Sequence, residues 1–311
     1  MSKISCDQMA YGGWPNCVRL TDGRSELVVT TDVGPRVIRY GRVGGANVFH
    51  EYPDQQGLQG GKSWRIYGGH RLWIAPESKP LSYAPDNSPV EWTWKGDVLT
   101  LLQKPDSPSG LQKSMAIRLV RGSVRVEHTL TNRSRKTWTV APWALSVMAP
   151  GGTAILPQEP YGSHQKNLLP ARPLVLWKYT KMNDARFTWG ERYILMRQDR
   201  QATSPQKIGV RSSLGWILYA LPFGTFIKRH EFDPAAVYPD MGCNAEVFTN
   251  ADMLETESLG PLTAIKPGAR VVHVEHWGLS DHVITDFSES ALDAAVPELL
   301  AECQKLPRRT G

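Results

Sequence analysis

Apolar and polar residues alternate along much of the chain, and turn residues interrupt the alternation at short intervals. One alternating run extends from Met115 to Leu119 and a second from Val124 to Leu130, with Gly122 between them. Successive side chains of a strand point to opposite faces, so each run has one face suited to a core. The pattern predicts a β-hairpin.

Other short segments have strand patterns and end at turn residues. They lie at residues 25–32, 36–45, 47–52, 90–94, 98–102, 137–149, 215–221, 223–230, 245–250, 251–259 and 269–279. Sequential strands joined by short turns favour antiparallel sheets packed face to face. The predicted fold class is therefore all-β, a sandwich of antiparallel sheets.

The end of the chain has a helical pattern instead. Apolar residues recur every three to four positions after Ser288, which is suited to cap a helix, although Pro297 predicts a break or kink. Residues 157–186 are rich in Pro, Asn, Lys and Gln and predict a long ordered loop. We expect an N-terminal extension at 1–15, one sandwich domain at 16–285, and a C-terminal helix at 286–311 packed on it.

Composition excludes several classes of protein. The 311 residues are 41% hydrophobic and 21% charged, with a net charge of +6, as in ordinary globular chains rather than disordered or fibrous ones. Lys and Arg are scattered, which argues against a nucleic-acid partner. No apolar run suits a membrane span or a secretory leader, so we expect a cytoplasmic protein without a membrane partner.

Recognisable cofactor and metal motifs are missing from the sequence. The four cysteines lie far apart, which indicates neither a disulfide framework nor a zinc site. There is no phosphate-binding loop, dinucleotide fingerprint, serine-hydrolase elbow or HExxH motif. We therefore predict no cofactor and no bound metal.

A first candidate site follows Gly68-Gly69, where His70, Arg71 and Trp73 combine hydrogen-bonding groups with a flat apolar ring. Sugars present hydroxyls around the ring and apolar C–H faces, so this combination suits a carbohydrate. Arg71 suits a carboxylate or phosphate equally well, which leaves an acidic sugar open. The alternative is a glycine bulge with a buried histidine and a surface arginine.

Two pairs of polar residues share a strand face. Glu255 and Glu257 are two positions apart, so they form either a general acid or base or two solvent-facing carboxylates. His273 and Glu275 are also two apart, with His276 on the opposite face. That pair is either the beginning of a metal site or a structural hydrogen-bonded pair.

Asp240, Asn244 and Glu246 follow a Tyr-Pro turn. Their side chains suit sugar hydroxyls. The alternative is turn chemistry, because Asp and Asn readily bond to the nearby backbone.

Several motifs together resemble one family. The segments NCVRLTDGRSELVVTTDVGPRVIR, IYGGHRLWIAPE, APWALSVMAPGG, YPDMGCNAEVFTN and LETESLGPLTAIKPG resemble an uncharacterised bacterial family of the galactose mutarotase-like superfamily, over roughly residues 16–279. The resemblance implies a β-supersandwich that binds a small-molecule carbohydrate, and an activity like that of aldose 1-epimerases. Those enzymes interconvert sugar anomers with a glutamate base and a histidine acid.

The resemblance also implies site residues. The base corresponds to Glu255, with Glu257 as second choice, whereas Trp143 stands at the position of the expected acid. An indole N–H is not a general acid near neutral pH, so either His70 replaces the histidine or ring opening is absent. Trp143 would still provide a stacking surface for a sugar ring.

Three functions therefore stay open. They are an anomer-interconverting isomerase, a non-catalytic carbohydrate-binding protein, and a lyase or hydrolase of an acidic saccharide with a metal near His273 and Glu275. The sequence leaves the oligomeric state open.

Overall fold

A computed structural model describes residues 4–107 and 109–307. Strands β1 to β21 follow one another along the chain before a single helix, α1. Their bounds are β1 Ser5–Tyr11, β2 Trp14–Thr21, β3 Ser25–Thr30, β4 Arg36–Arg42, β5 His70–Ala75, β6 Glu91–Lys95, β7 Val98–Leu102, β8 Leu111–Val120, β9 Ser123–Asn132, β10 Trp138–Met148, β11 Thr153–Pro157, β12 Leu174–Leu176, β13 Phe187–Trp189, β14 Tyr193–Arg197, β15 Gln206–Val210, β16 Trp216–Leu221, β17 Gly224–His230, β18 Ala245–Thr249, β19 Leu254–Leu259, β20 Thr263–Ile265, β21 Arg270–Ser280 and α1 Glu289–Glu302. The predicted all-β class with a C-terminal helix is confirmed.

The strands form two large antiparallel sheets. The larger sheet has the order β1-β2-β3-β4-β5-β10-β19-β18-β15-β12, with β20 paired to β10. The second sheet has the order β13-β14-β11-β16-β17-β21-β9-β8-β7-β6. Side chains from both sheets, among them Val29, Met148, Ile117 and Phe226, form one continuous core. The arrangement is the predicted antiparallel sandwich.

The predicted hairpin is present as β8 and β9, which pair along their whole length from Leu111↔Asn132 to Val120↔Ser123. The apolar positions of both strands are buried, as the alternation requires. The segment 47–52 differs from the prediction: it makes isolated bridges at Phe49 and Glu51 rather than a regular strand. Asn47 accounts for part of this, because its side chain bonds the backbone of Tyr40 and Phe49.

Helix α1 packs on the outer face of the second sheet. Ser288 caps it by accepting a hydrogen bond from the Ala291 backbone. Leu292 and Val296 join a cluster with side chains of β11, β14, β16 and β17. The predicted break at Pro297 is wrong: the helix continues through this residue, whose ring lies on the exposed face. Residues 308–311 of the predicted segment lie outside the described residues.

The predicted extension at 1–15 overlaps two strands of the larger sheet. β1 pairs with β2 at its edge, and Trp14 at the start of β2 is fully buried. Residues 1–3 lie outside the described part of the chain. Within that part, no helix has the length and apolar character needed to cross a membrane.

Candidate functional site

The centre of the larger sheet carries the candidate site on its outer face. In the register of β5, β10 and β19, Trp73 lies opposite Trp143, and Leu145 lies between Arg71 and Glu257. Residues paired directly across strands point to the same face. The sheet therefore brings together side chains from three separate parts of the sequence.

A cavity of about 420 Å³ is lined by Arg71, Trp73, Trp143 and Leu145 of this set. Aromatic and charged groups dominate its walls: Trp64, Arg71, Trp73, Glu77, Tyr83, Trp143, Trp177, Tyr179, Lys207 and Glu255. Small-ligand sites commonly combine apolar or aromatic walls with a few polar groups that fix the orientation of the ligand. The cavity has this composition.

Arg71 and Glu255 form an ion pair at the cavity wall. Arg71 Nη2 donates to Glu255 Oε1 at 3.1 Å. The guanidinium carbon lies 4.5 Å from the ring centre of Trp73 and 5.6 Å from that of Trp64. Burial raises the pKa of Glu255, and the favourable charge of Arg71 only partly opposes that shift. Glu255 is thus a carboxyl group with increased basicity that lines the cavity.

A second cationic group, Lys207 on β15, lies between two carboxylates. Its Nζ is 2.8 Å from Glu246 Oε2 and 2.9 Å from Glu257 Oε2. The same nitrogen lies 4.5 Å from the ring centre of Trp143 and 4.7 Å from that of Trp177. Burial alone would lower the pKa of Lys207, but the two carboxylates outweigh burial and hold it well above the usual value. Lys207 is therefore charged at neutral pH.

Glu257 lies behind the cavity wall rather than in it. It is fully buried, and its Oε2 accepts hydrogen bonds from Trp143 Nε1 at 2.8 Å and from Lys207 Nζ. Asp240 is half-buried next to Glu246, and burial raises its pKa. The bonds of Glu257 hold Lys207 and the Trp143 indole in place, whereas Asp240 is not among the described residues that line the cavity.

Gly68 and Gly69 shape the entry into β5. Both have positive φ angles, of 98° and 69°. A Cβ atom at Gly68 would lie 2.0 Å from the His50 carbonyl oxygen, and one at Gly69 would lie 2.3 Å from that of Val37. Only glycine fits this backbone, which delivers Arg71 and Trp73 to the cavity face.

The predicted pairing of Glu255 with His70 is not formed. His70 precedes Arg71 on β5, so its side chain points to the opposite face, into the sandwich interior. It is fully buried, with Nδ1 2.8 Å from Ser146 Oγ and Nε2 3.1 Å from His128 Nε2. His70 thus belongs to the core, and no histidine is among the described residues that line the cavity.

His273 and Glu275 also point into the interior. Ser258 Oγ lies 2.6 Å from His273 Nε2 and donates to Glu275 Oε1 at 2.6 Å. Lys228 Nζ is 2.9 Å from the same carboxylate oxygen, and all of these groups are buried. His276 points the other way and contacts the Leu306 carbonyl at 3.1 Å.

One group of buried side chains in the interior has residue types that can bind a metal ion. His70, His128 and Glu275 bring ligand-type atoms close together among the described residues. However, Glu275 Oε1 already accepts from Lys228 and Ser258, and Oε2 accepts from Trp277 Nε1 at 3.0 Å. These bonds satisfy the carboxylate without an ion. The arrangement is that of a buried ion-pair network.

Asn244 does not reach the cavity. Its side chain is fully buried, accepts from the Ser212 backbone N–H at 2.7 Å and donates to the Ser212 carbonyl at 2.8 Å. Both of its functional groups are therefore used to join neighbouring chain segments. A role in substrate binding is not supported by this placement.

Sequence reasoning missed several wall residues. Lys207 lies in an ordinary strand sequence, QKIGV, and nothing local marks it as functional. Trp177 and Tyr179 belong to the stretch predicted as a loop. Aromatic residues isolated among polar ones are the signal in that stretch that could have marked them as functional. Their roles depend on which strands become neighbours in the sheet.

Comparisons with known proteins identify the fold. No protein-family model matches the sequence, and no curated protein has significant similarity to it. Solved structures do match. The Slr1438 protein from Synechocystis sp. PCC 6803 is 12% identical with a TM-score of 0.56, over 89% of this chain and 100% of that one.

Two further solved structures are similar. A galactose mutarotase-like protein from Lactobacillus casei ATCC 334 is 11% identical with a TM-score of 0.52, over 85% of this chain and 100% of that one. A TPR-domain containing protein from Parabacteroides distasonis ATCC 8503 is 12% identical with a TM-score of 0.57, over 88% of this chain and 48% of that one. At these identities the similarity concerns the fold alone, a large antiparallel sandwich that this chain shares with the galactose mutarotase-like protein from Lactobacillus casei.

Proposed function

We propose that this protein binds a small carbohydrate in the cavity on the larger sheet. The observation that carries the proposal is the set of indole and phenol rings and charged groups around one cavity of about 420 Å³. Ring faces suit the apolar C–H surfaces of a sugar, and carboxylates accept hydrogen bonds from its hydroxyls. The name of the Lactobacillus casei protein, galactose mutarotase-like, supports a sugar ligand for this fold.

Truncating a cavity aromatic should weaken sugar binding. Trp177 is only partly buried and lines the cavity. We expect Trp177→Ala to weaken binding of the preferred sugar by about 1–2 kcal/mol, because the ligand loses an apolar contact surface. Isothermal titration calorimetry with a panel of monosaccharides would measure this loss.

Trp189→Ala is the matched control, because this exposed tryptophan lies on β13 of the second sheet. It should leave the affinity unchanged. Equal loss in the two variants, or none in Trp177→Ala, would argue against a sugar at this wall of the cavity.

A second function, interconversion of anomers, is favoured by Glu255. Its raised pKa and its place in the cavity suit a base that takes the proton of an anomeric hydroxyl. Ring opening also requires a proton for the ring oxygen. Rotation about the C1–C2 bond of the open sugar and closure of the ring then return both protons to the groups from which they came. His70 points into the core, and the carboxylates around Lys207 hold its pKa well above the usual value, so neither group is suited to donate the proton to the ring oxygen.

Glu255→Gln tests this second function. The amide keeps the shape of the side chain but cannot accept a proton, so anomer exchange should fall about 10²–10⁴-fold while sugar binding stays within about tenfold. Exchange spectroscopy by NMR measures the first quantity and calorimetry the second.

Glu91→Gln, on an exposed position of β6, is the control for this substitution. Unchanged exchange in Glu255→Gln would remove Glu255 from the mechanism. Sugar binding without any acceleration of exchange by the unmodified protein would leave a non-catalytic carbohydrate-binding protein.

A further inference from the structure

The two cationic side chains of the cavity are already neutralised. Arg71 pairs with Glu255, and Lys207 pairs with both Glu246 and Glu257. Both also lie against indole rings, which are electron-rich at their faces. Each cation already has an ion-pair partner, so neither is available to pair with an anionic ligand.

Carboxyl groups outnumber the cations at this site. Glu77 and Glu255 line the cavity, and Glu246 and Glu257 lie directly behind Lys207. Burial, with a smaller contribution from Glu77 and Glu255, raises the pKa of the Tyr83 phenol to about 12. Around the cavity, acidic side chains therefore outnumber basic ones.

The hydrogen-bonding groups of the cavity also favour a ligand that donates hydrogen bonds over one that accepts them. Lys207 Nζ already donates to Glu257 Oε2 and lies 2.8 Å from Glu246 Oε2. Arg71 Nε and Nη1 are buried without an acceptor, beside the rings of Trp64 and Trp73. Glu77 Oε1 accepts from the Tyr83 hydroxyl and Glu255 Oε1 from Arg71, so the second oxygen of each carboxylate is the acceptor that the cavity offers a ligand.

We propose that the preferred ligand of this cavity is an amino sugar whose ammonium group contacts these carboxylates and the aromatic rings. This inference rests on the proposed carbohydrate-binding function and names the class of sugar. An ammonium is a donor without acceptor capacity, so it complements walls that offer acceptors. An acidic sugar would place a carboxylate or phosphate among carboxylates with no unpaired cation, which costs free energy.

The test compares derivatives of the same parent sugar that differ in charge. Glucosamine, glucose, N-acetylglucosamine and glucuronate, together with their galactose counterparts, are titrated into the full chain at neutral pH. We expect the better-binding amino sugar to bind about tenfold more tightly than its neutral parent, because an ion pair and cation–π contacts are added. The N-acetyl derivative keeps the nitrogen but lacks the charge, so it should lose this preference.

Glu77→Gln assigns the preference to the cavity. It removes one wall charge at an exposed position, and the ratio of amino-sugar to neutral-sugar affinity should fall at least about threefold. Glu91→Gln in the second sheet should leave the ratio unchanged. Added salt should also reduce the ratio, since it screens exposed charges.

Each outcome distinguishes the two proposals. If neutral sugars bind and amino sugars bind no better, or if glucuronate binds more tightly than glucose, the amino-sugar inference is overturned while carbohydrate binding stands. If no sugar of the panel binds, the proposed function fails and this inference fails with it.

Discussion

Replacing Lys228 with Met is expected to lower the free energy of unfolding by about 3–5 kcal/mol. Lys228 is fully buried between the sheets, where its Nζ contacts Glu275 Oε1 and donates to the Thr256 carbonyl, each at 2.9 Å. The substitution leaves the carboxylate of Glu275 without its countercharge in an enclosed environment. Urea unfolding followed by circular dichroism measures the loss.

The pKa of Glu275 gives the expected dependence of this pair on pH. Burial opposes ionisation, but the ammonium of Lys228 and the neighbouring His70 hold the pKa of the carboxyl well below its usual value. A depressed carboxyl pKa contributes stability above the unfolded-state value of about 4.3, and this contribution is lost as the pH falls toward the folded-state value. The stability difference between the unmodified protein and Lys228→Met should therefore shrink in acid.

Two comparisons make the prediction specific to the buried pair. The double variant Lys228→Met with Glu275→Gln removes both charges and should recover part of the lost stability. Lys95→Met, at an exposed position of β6, should change stability by less than about 0.5 kcal/mol. A loss below about 1 kcal/mol in Lys228→Met would show that the Lys228–Glu275 pair contributes little to the stability of the core.

Replacing Lys207 with Met is expected to impair both stability and sugar binding. Its ammonium separates Glu246 from Glu257 and lies between Trp143 and Trp177. Without it, two buried carboxylates face each other, and we expect a loss of about 3–5 kcal/mol near neutral pH. Binding should weaken at least about tenfold, because Trp143 loses the network that positions it.

The loss in Lys207→Met should depend on pH in the same sense as that in Lys228→Met, shrinking as the pH falls. Unpaired buried carboxyls have raised folded-state pKa values, so their cost increases as the pH rises above about 4.3 and is relieved when they take up protons. The variant should therefore be closer to the unmodified protein at pH 5 than at pH 8. Unfolding measured at both pH values checks this, and a deficit that grows in acid would contradict it.

The surface control for this second variant is Lys266→Met, which changes an exposed residue. It should affect neither stability nor binding. If Lys207→Met binds sugar with unchanged affinity, the ion pairs of Lys207 do not contribute to the ligand site.

Alternation along the sequence was sufficient to predict the antiparallel strands where one face of a strand is polar. β8 is such a case, since its buried positions from Met115 to Leu119 alternate with partly exposed ones. In β5 all six residues from His70 to Ala75 are buried, so both faces are covered and alternation in polarity no longer distinguishes them. The sequence therefore identified His70 and Arg71 as neighbours but could not show which of them points into the core.

The remaining parts of the site depend on strand order. Lys207 meets Glu246 and Glu257 because β15, β18 and β19 are adjacent, although Lys207 and Glu257 are 50 residues apart. Strand order is a property of the whole sheet, and local periodicity does not encode it. The continuity of α1 through Pro297 has a different reason: the buried face through Leu292 and Val296 stabilises the helix despite the proline.

The separation of roles between the two faces of β19 has a consequence for how this protein can diversify. Glu255 and Glu257 serve the cavity side, whereas Thr256 and Ser258 face the interior network. Substitution of Glu255 changes the cavity wall without touching the interior network, whereas Glu257 neutralises the buried Lys207 and is tied to folding. Variation at the cavity-lining position of this strand can thus alter the proposed ligand site on an unchanged scaffold.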